Sequence, residues 1–207
     1  MSIRHSLNRV LPLFFLPAVF LMCVPAHAGL QEANEALANK DYPSALKELQ
    51  PLAEKGDASA QFHLAELYSN GTGVAMDEKL AVSWYQKSAA QGYVGAQTML
   101  GIMYENGAGT QLDFKKAASW YRKAAEQNDP LAQSLLGAMY VEGLGMAVNL
   151  VQALKWFTLA ASAGNAVAQE NMRAIQPGMT KKQINQAQKL VRQWQRTNQN
   201  KGKLKSK

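Results

Sequence analysis

Between Ala58 and Asn165 the apolar residues fall into short helical blocks, and the blocks come in pairs that recur every 36 residues. Ala60, Leu64 and Tyr68 stand four apart on one face of a first helix, and Ala81, Trp84, Tyr85 and Ser88 mark one face of a second. Tyr68 returns as Tyr104 and Tyr140, and Trp84 returns as Trp120 and Trp156, with Ala117, Tyr121 and Ala124, then Ala153, Phe157 and Ala160, beside them. Polar residues punctuate the pattern at the same period. Asp57, Asp129 and Asn165 stand where the first helices need an N-cap, Tyr93 being the exception, and Asp77, Asp113 and Asn149 do so for the second helices. Pro130 takes the first helical position of the third unit. Gly71 and Gly73 recur as Gly107 and Gly109 and as Gly143 and Gly145 between the helices, while Gly92 and Gly164 fit left-handed C-caps. Of the 36 positions in the first two units, 16 are identical. A fixed period of this length predicts an α-solenoid, in which units that cannot bury their own apolar faces stack on one another. The units are 58–93, 94–129 and 130–165.

The flanks read as modified ends of the same array. Residues 29–57 carry Ala33, Ala36 and Leu37, a turn at Asp41-Tyr42-Pro43, then Ala45, Leu49 and Leu52, which predicts a divergent helix pair with a shortened first helix. A fourth unit opens at Ala166 and breaks at Pro177-Gly178. Thr180 with Gln183 forms a capping box, and Ile184, Ala187, Leu190, Val191 and Trp194 follow at helical spacing. Residues 166–196 are therefore a partial repeat and a capping helix that covers the last apolar face, ending at Arg196. The apolar period stops there, so residues 197–207, with Lys201, Lys203, Lys205 and Lys207, are expected to be a disordered basic tail.

The run Ala-x-Ala-Gln, Leu-Gly, Tyr, Gly-x-Gly, Asp, Ala, Trp-Tyr, Ala-Ala, Gly, repeated from Ala58 to Gln169, resembles the Sel1-like repeat, a subfamily of the tetratricopeptide class. The departures are Ala65 where the other units have Gly101 and Gly137, Asn128 where they have Gly92 and Gly164, and Thr110 and Met146 in place of Val74. The resemblance implies an all-α, right-handed solenoid of antiparallel helix pairs. It also implies a binding scaffold, often of the bacterial cell envelope, whose first helices line a concave surface.

Composition narrows the chemistry once the N-terminus is set apart. Arg4 and Arg9 precede an apolar run from Val10 to Val24 that ends in Ala26-His27-Ala28, the pattern of a signal peptide cleaved after Ala28. This predicts a periplasmic or secreted protein with no transmembrane segment in the mature chain. Met22 stands before Cys23 where a lipid-attachment signal has a small residue. Without residues 1–28 the chain keeps no cysteine and one histidine, His63. No Cys or multi-His zinc site can be assembled, and no Cys nucleophile exists. Ser44-Ala45-Leu46-Lys47 matches the Ser-x-x-Lys of penicillin-recognising enzymes but lacks their further motifs. The Gly-x-Gly turns follow no strand and carry no Walker lysine. His63 reads as a surface residue with no acid placed to orient it, and Asp77 and Asp113 read as caps. Trp84, Trp120 and Trp156 read as core. No catalytic residue, cofactor or metal is expected. The charge is divided: Gly29–Met172 has 10 Lys/Arg and 15 Asp/Glu, or −5, while Arg173–Lys207 has 10 Lys/Arg and no acid. Export argues against nucleic acid as the tail's partner and leaves an anionic polymer or lipid surface, an acidic protein or the acidic repeats themselves, beside the reading of a solubilising tail with no partner.

What fails to repeat is where a partner would be recognised. On the first helices the open face carries Ser59, Phe62, Glu66, Ser69 and Asn70, then Gly95, Thr98, Ile102, Glu105 and Asn106, then Leu131, Ser134, Ala138, Val141 and Glu142. Phe62, Ile102, Leu131 and Val141 would form an apolar floor edged by Glu66, Glu105 and Glu142. The expected occupant is another envelope protein or a peptide, extended or helical, with basic residues. The alternative is binding of an envelope polymer or anionic surface through the tail lysines.

Overall fold

A computed structural model describes the backbone of residues 26–205 and the side chains of residues 29–198. Residues 1–25 of the expected signal segment 1–28, and Lys207, lie outside the described residues, and Lys201, Lys203 and Lys205 are described in the backbone only. Ten α-helices and no strand form the described residues: α1 (Ala26–Ala38), α2 (Tyr42–Glu54), α3 (Ala58–Asn70), α4 (Glu78–Ala90), α5 (Val94–Asn106), α6 (Phe114–Glu126), α7 (Pro130–Glu142), α8 (Leu150–Ser162), α9 (Ala166–Ile175) and α10 (Lys181–Lys205). Each helix packs chiefly on its neighbours in sequence, and α10 turns back onto α8. This is the solenoid of helix pairs that the 36-residue period predicts.

The caps fall where the polar punctuation puts them. Asp57, Asp77, Asp113, Asp129, Asn149 and Asn165 each accept a hydrogen bond from the backbone N–H three residues on, at 2.7–3.1 Å. The two glycines of each turn do different work. Gly71, Gly107 and Gly143 are left-handed C-caps that end the first helices. The second glycine makes an inter-unit contact: a Cβ on Gly109 would lie 2.3 Å from the Glu78 carbonyl oxygen, and one on Gly145 2.4 Å from that of Phe114. The start of each second helix thus seats against the turn of the next unit.

Further joints between units are polar and also repeat. Gln91 donates to the Gly56 carbonyl at 2.9 Å and to the Gln61 amide oxygen at 2.8 Å, and Gln127 does the same one unit on with Gly92 and Gln97. Gln61, Gln97 and Gln133 are buried, and each donates to a carbonyl of the helix before it. The third unit has Ala163 in place of the glutamine, and there the C-terminal helix takes over.

α1 has 13 residues, of which Ala26–Ala28 belong to the expected signal segment, so the part from Gly29 to Ala38 is shorter than the 13 residues of α2. Two expectations need correction. Of the three tryptophans only Trp156 is buried. Trp84 and Trp120 are half-buried, with the ammonium groups of Lys87 and Lys123 at 3.7 and 3.8 Å from their ring centroids. Trp156 differs because Trp194 of α10 packs edge-on against it, at 5.1 Å between centroids. In addition, α10 does not stop at Arg196: the backbone expected to be a disordered tail is helical to Lys205. The residues after Arg196 are Thr, Asn, Gln, Lys, Gly and Leu, and the helix runs through Gly202, whose cost is about 1 kcal/mol relative to alanine, because the packed turns before it have already nucleated it.

Candidate partner-binding face

The first helices present the non-repeating residues in three zones of different character. On α3, Phe62 is not a free apolar floor. Its ring lies 4.9 Å from that of Tyr93 and 5.8 Å from that of Tyr85, and it covers Gly95, where a Cβ would come within 3.1 Å of it. Phe62 therefore joins the first unit to the second. His63, expected to lack an acid, has Nδ1 at 2.9 Å from an oxygen of Glu66, one helical turn along. Ser59, Glu66 and Ser69 are half-buried around it, and Asn70 is exposed at the end of the helix.

The α5 zone is closed by hydrogen bonds. Glu105 accepts from the Tyr121 hydroxyl at 2.5 Å, and Asn106 donates to the Ile102 carbonyl at 3.0 Å. Burial raises the Tyr121 phenol well above its ordinary value, with the Glu105 hydrogen bond and charge adding to the rise. Burial also raises Tyr85, where Glu66 adds to the effect and Ser69 opposes it. The third unit has Phe157 in place of the phenol and Val141 in place of the acid, so both halves of the pair are apolar there. Thr98 and Ser134, assigned to the open face, are buried. Thr98 donates back to the Val94 carbonyl at 3.3 Å. Burial by a neighbouring element is something that the spacing of a single helix cannot reveal.

The α7 zone is an open cleft. Ala138, Val141 and Glu142 line a cavity of about 190 Å³ together with Phe157 of α8 and Asn171, Ala174 and Ile175 of α9. The row that lies across the first helices at 36-residue spacing reads Glu66, Ile102, Ala138, Ala174, and the cleft opens where the side chains become small. Leu131 stands exposed at the start of α7 and Val167 one unit on at the start of α9. Phe157, Asn171, Ala174 and Ile175 were missed in the sequence. Carrying the ladder Glu66, Ile102, Ala138 one step into the broken fourth unit would have found Ala174, whereas Asn171 falls in register with His63, Met99 and Leu135, outside the open-face sets.

Against the other side of the array, α10 has a seat made from departures from the repeat. Asn128 holds the left-handed backbone (φ 68°) that glycine holds elsewhere, and its side-chain oxygen accepts from Trp194 Nε1 at 3.3 Å and from the Asn198 amide at 3.0 Å. Lys155 lies 3.8 Å from the Trp156 ring centroid and 4.6 Å from that of Trp194. Burial between the two indoles lowers its pKa. Among the described residues no group of three or more His, Cys, Asp or Glu side chains is placed to hold a metal ion.

These features define the class: repeated helix pairs with two-glycine turns, a variable first-helix face and a C-terminal helical cap. The Sel1 repeat family matches residues 58–93, 94–129 and 130–165, and the chain belongs to that family. Among solved structures it is similar to a Sel1 repeat protein from Oxalobacter formigenes, with 35% identity and a TM-score of 0.66 over 72% of this chain and 60% of that one. A protective antigen of uropathogenic Escherichia coli displaying an SLR fold is 31% identical, with a TM-score of 0.57 over 81% of this chain and 44% of that one. Helicobacter pylori cysteine rich protein B is 26% identical, with a TM-score of 0.51 over 63% of this chain and 93% of that one. The chain thus spans 60% and 44% of the first two of these structures, less than two thirds of either. No curated protein matches it. Sel1 repeats form a scaffold that typically mediates protein interactions, and this chain has the fold of that scaffold.

Proposed function

We propose that this protein is an exported, non-catalytic adaptor that holds a partner protein of the cell envelope on its first-helix face, with the main anchor in the cleft between α7 and α9. The observation that carries the reading is the cleft itself: apolar walls from Ala138, Val141, Phe157, Ala174 and Ile175, with Glu142 and Asn171 as its polar groups. A cavity of this size accepts one or two apolar side chains, and one acidic group beside it favours a neighbouring Lys or Arg on the partner. Residues at the two other zones add contacts of a different kind. His63 and Glu66 offer a polar pair, and Glu105 keeps lone pairs beyond the Tyr121 hydrogen bond. Export rests on the sequence of residues 1–28.

Photo-crosslinking tests this reading. A photoreactive residue at Glu142 or Ala174, both exposed, should capture the same partner from the native envelope, while one at Ser119 on α6 should not. Equal capture from Ser119, or none from the cleft positions, contradicts the proposal.

A further inference from the structure

We propose that the edge of the solenoid formed by the Gly-x-Gly turns docks on an anionic lipid bilayer. Three large apolar side chains stand out from that edge, one per unit and 36 residues apart: Met76 is 66% exposed, Leu112 56% and Val148 62%. Each immediately precedes the N-cap of a second helix, so all three lie at the same end of the stacked units. Folding does not account for them, since their side chains remain mostly in water.

Five exposed lysines share the edge. Lys79 lies in the first turn of α4, Lys115 and Lys116 in that of α6, and Lys181 and Lys182 in that of α10. The start of α10 belongs to the same end, because Met179 and Ile184 pack with Leu150 and Val151 at the start of α8. Cations in the first turn oppose the helix dipole, so their placement lowers helix stability rather than raising it. Lys116 has Asp113 at 3.5 Å, and among the described residues the other four make no ion pair. The acids of the edge are engaged: Asp77 and Asp113 accept from helix N–H groups, and Glu78 accepts from the Gly109 N–H at 3.0 Å. Lys189, Arg192 and Arg196 continue the positive field along α10, which carries no acid.

The pairing of the two features selects the partner. A polyanion would use the lysines and leave the apolar row in water, and an apolar protein groove would use the row and leave the lysines opposed to the dipole for nothing. An anionic bilayer surface takes apolar side chains at the depth of the headgroups and lysines at the phosphates. No described helix is long and apolar enough to cross a membrane, so the contact is peripheral.

The test places an environment-sensitive fluorophore on a single introduced cysteine in the full chain carrying Cys23→Ser. The sites are Met76→Cys, Leu112→Cys, Val148→Cys and, as control, Ala90→Cys at the far end of α4, about 18 Å from its start at 1.5 Å per residue. Vesicles of phosphatidylglycerol and phosphatidylcholine in equal parts should blue-shift the emission at the three turn sites and leave the control site unshifted. Adding Lys181→Glu with Lys182→Glu to the Leu112→Cys protein should reduce its shift, and vesicles of phosphatidylcholine alone should give little at any site. Comparing sites within one chain separates docking of this edge from attachment through the apolar N-terminal run. No shift at the turn sites, an equal shift at Ala90→Cys, or a shift indifferent to lipid charge and to the lysine changes overturns the proposal.

Discussion

Tyr121 touches most of what distinguishes the second unit from the others. Its ring lies so close over α5 that a Cβ on Gly101 would come within 2.4 Å of its Cε1 atom, and its hydroxyl is held by Glu105. Gly101→Ala should therefore destabilise the protein by about 1–3 kcal/mol through overpacking, seen as a lower urea midpoint. A midpoint unchanged from wild type would show that the ring can move aside; the first unit has Ala65 and Tyr85 at the equivalent positions, both buried. The repeat made Gly101 and Tyr121 legible as fold positions, because both recur. Glu105 was assigned to the open face by helical spacing, which says which side of a helix a residue leaves by and not what a neighbouring helix brings to it. Phe62 and Thr98 follow the same rule: one is taken up by Tyr85 and Tyr93, the other by burial.

At the scale of elements, α10 converts irregularities of the sequence into one seat. Asn128, Lys155 and Trp156 meet Trp194 and Asn198 there, beside Leu159, which replaces the lysine of the two earlier units, and Ala163, which replaces their glutamine. Trp194→Ala should cost about 2 kcal/mol, below the range for a fully buried tryptophan, since this indole keeps one side in water. Asn128→Gly keeps the left-handed backbone and removes two hydrogen bonds, for a cost of about 1–2 kcal/mol. The two changes act on one contact, so the double variant should lose less than the sum in urea unfolding. Full additivity would mean that Asn128 and Trp194 stabilise separate parts of the fold. The sequence predicted this capping helix from its own apolar stripe. It did not reveal the partner surface, whose residues look like ordinary repeat drift until a helix is laid across them. The end of α10 was misread because loss of an apolar stripe ends packing, while a helix already nucleated by packed turns propagates beyond them.

For the whole molecule, the stacking explains why the open cleft lies near the C-terminal end of the array. The earlier first-helix zones are closed by Phe62 and by the Glu105–Tyr121 pair, and the row from Glu66 to Ala174 narrows to alanine only where α7 meets α9. Half of this was open to reading. Ala138, Val141 and Glu142 were found by asking what fails to repeat, while Ala174 and Ile175 belong to a unit whose pattern breaks at Pro177. If the partner is held in this cleft, as proposed, Ala174→Trp blocks it with least disturbance, because Ala174 is exposed yet lines the cavity. The measurement is the affinity of the Ala174→Trp protein for the partner captured through Glu142, set beside its urea midpoint. Binding weakened by about tenfold or more at an unchanged midpoint is the predicted result, and wild-type affinity with the cleft filled would contradict the account.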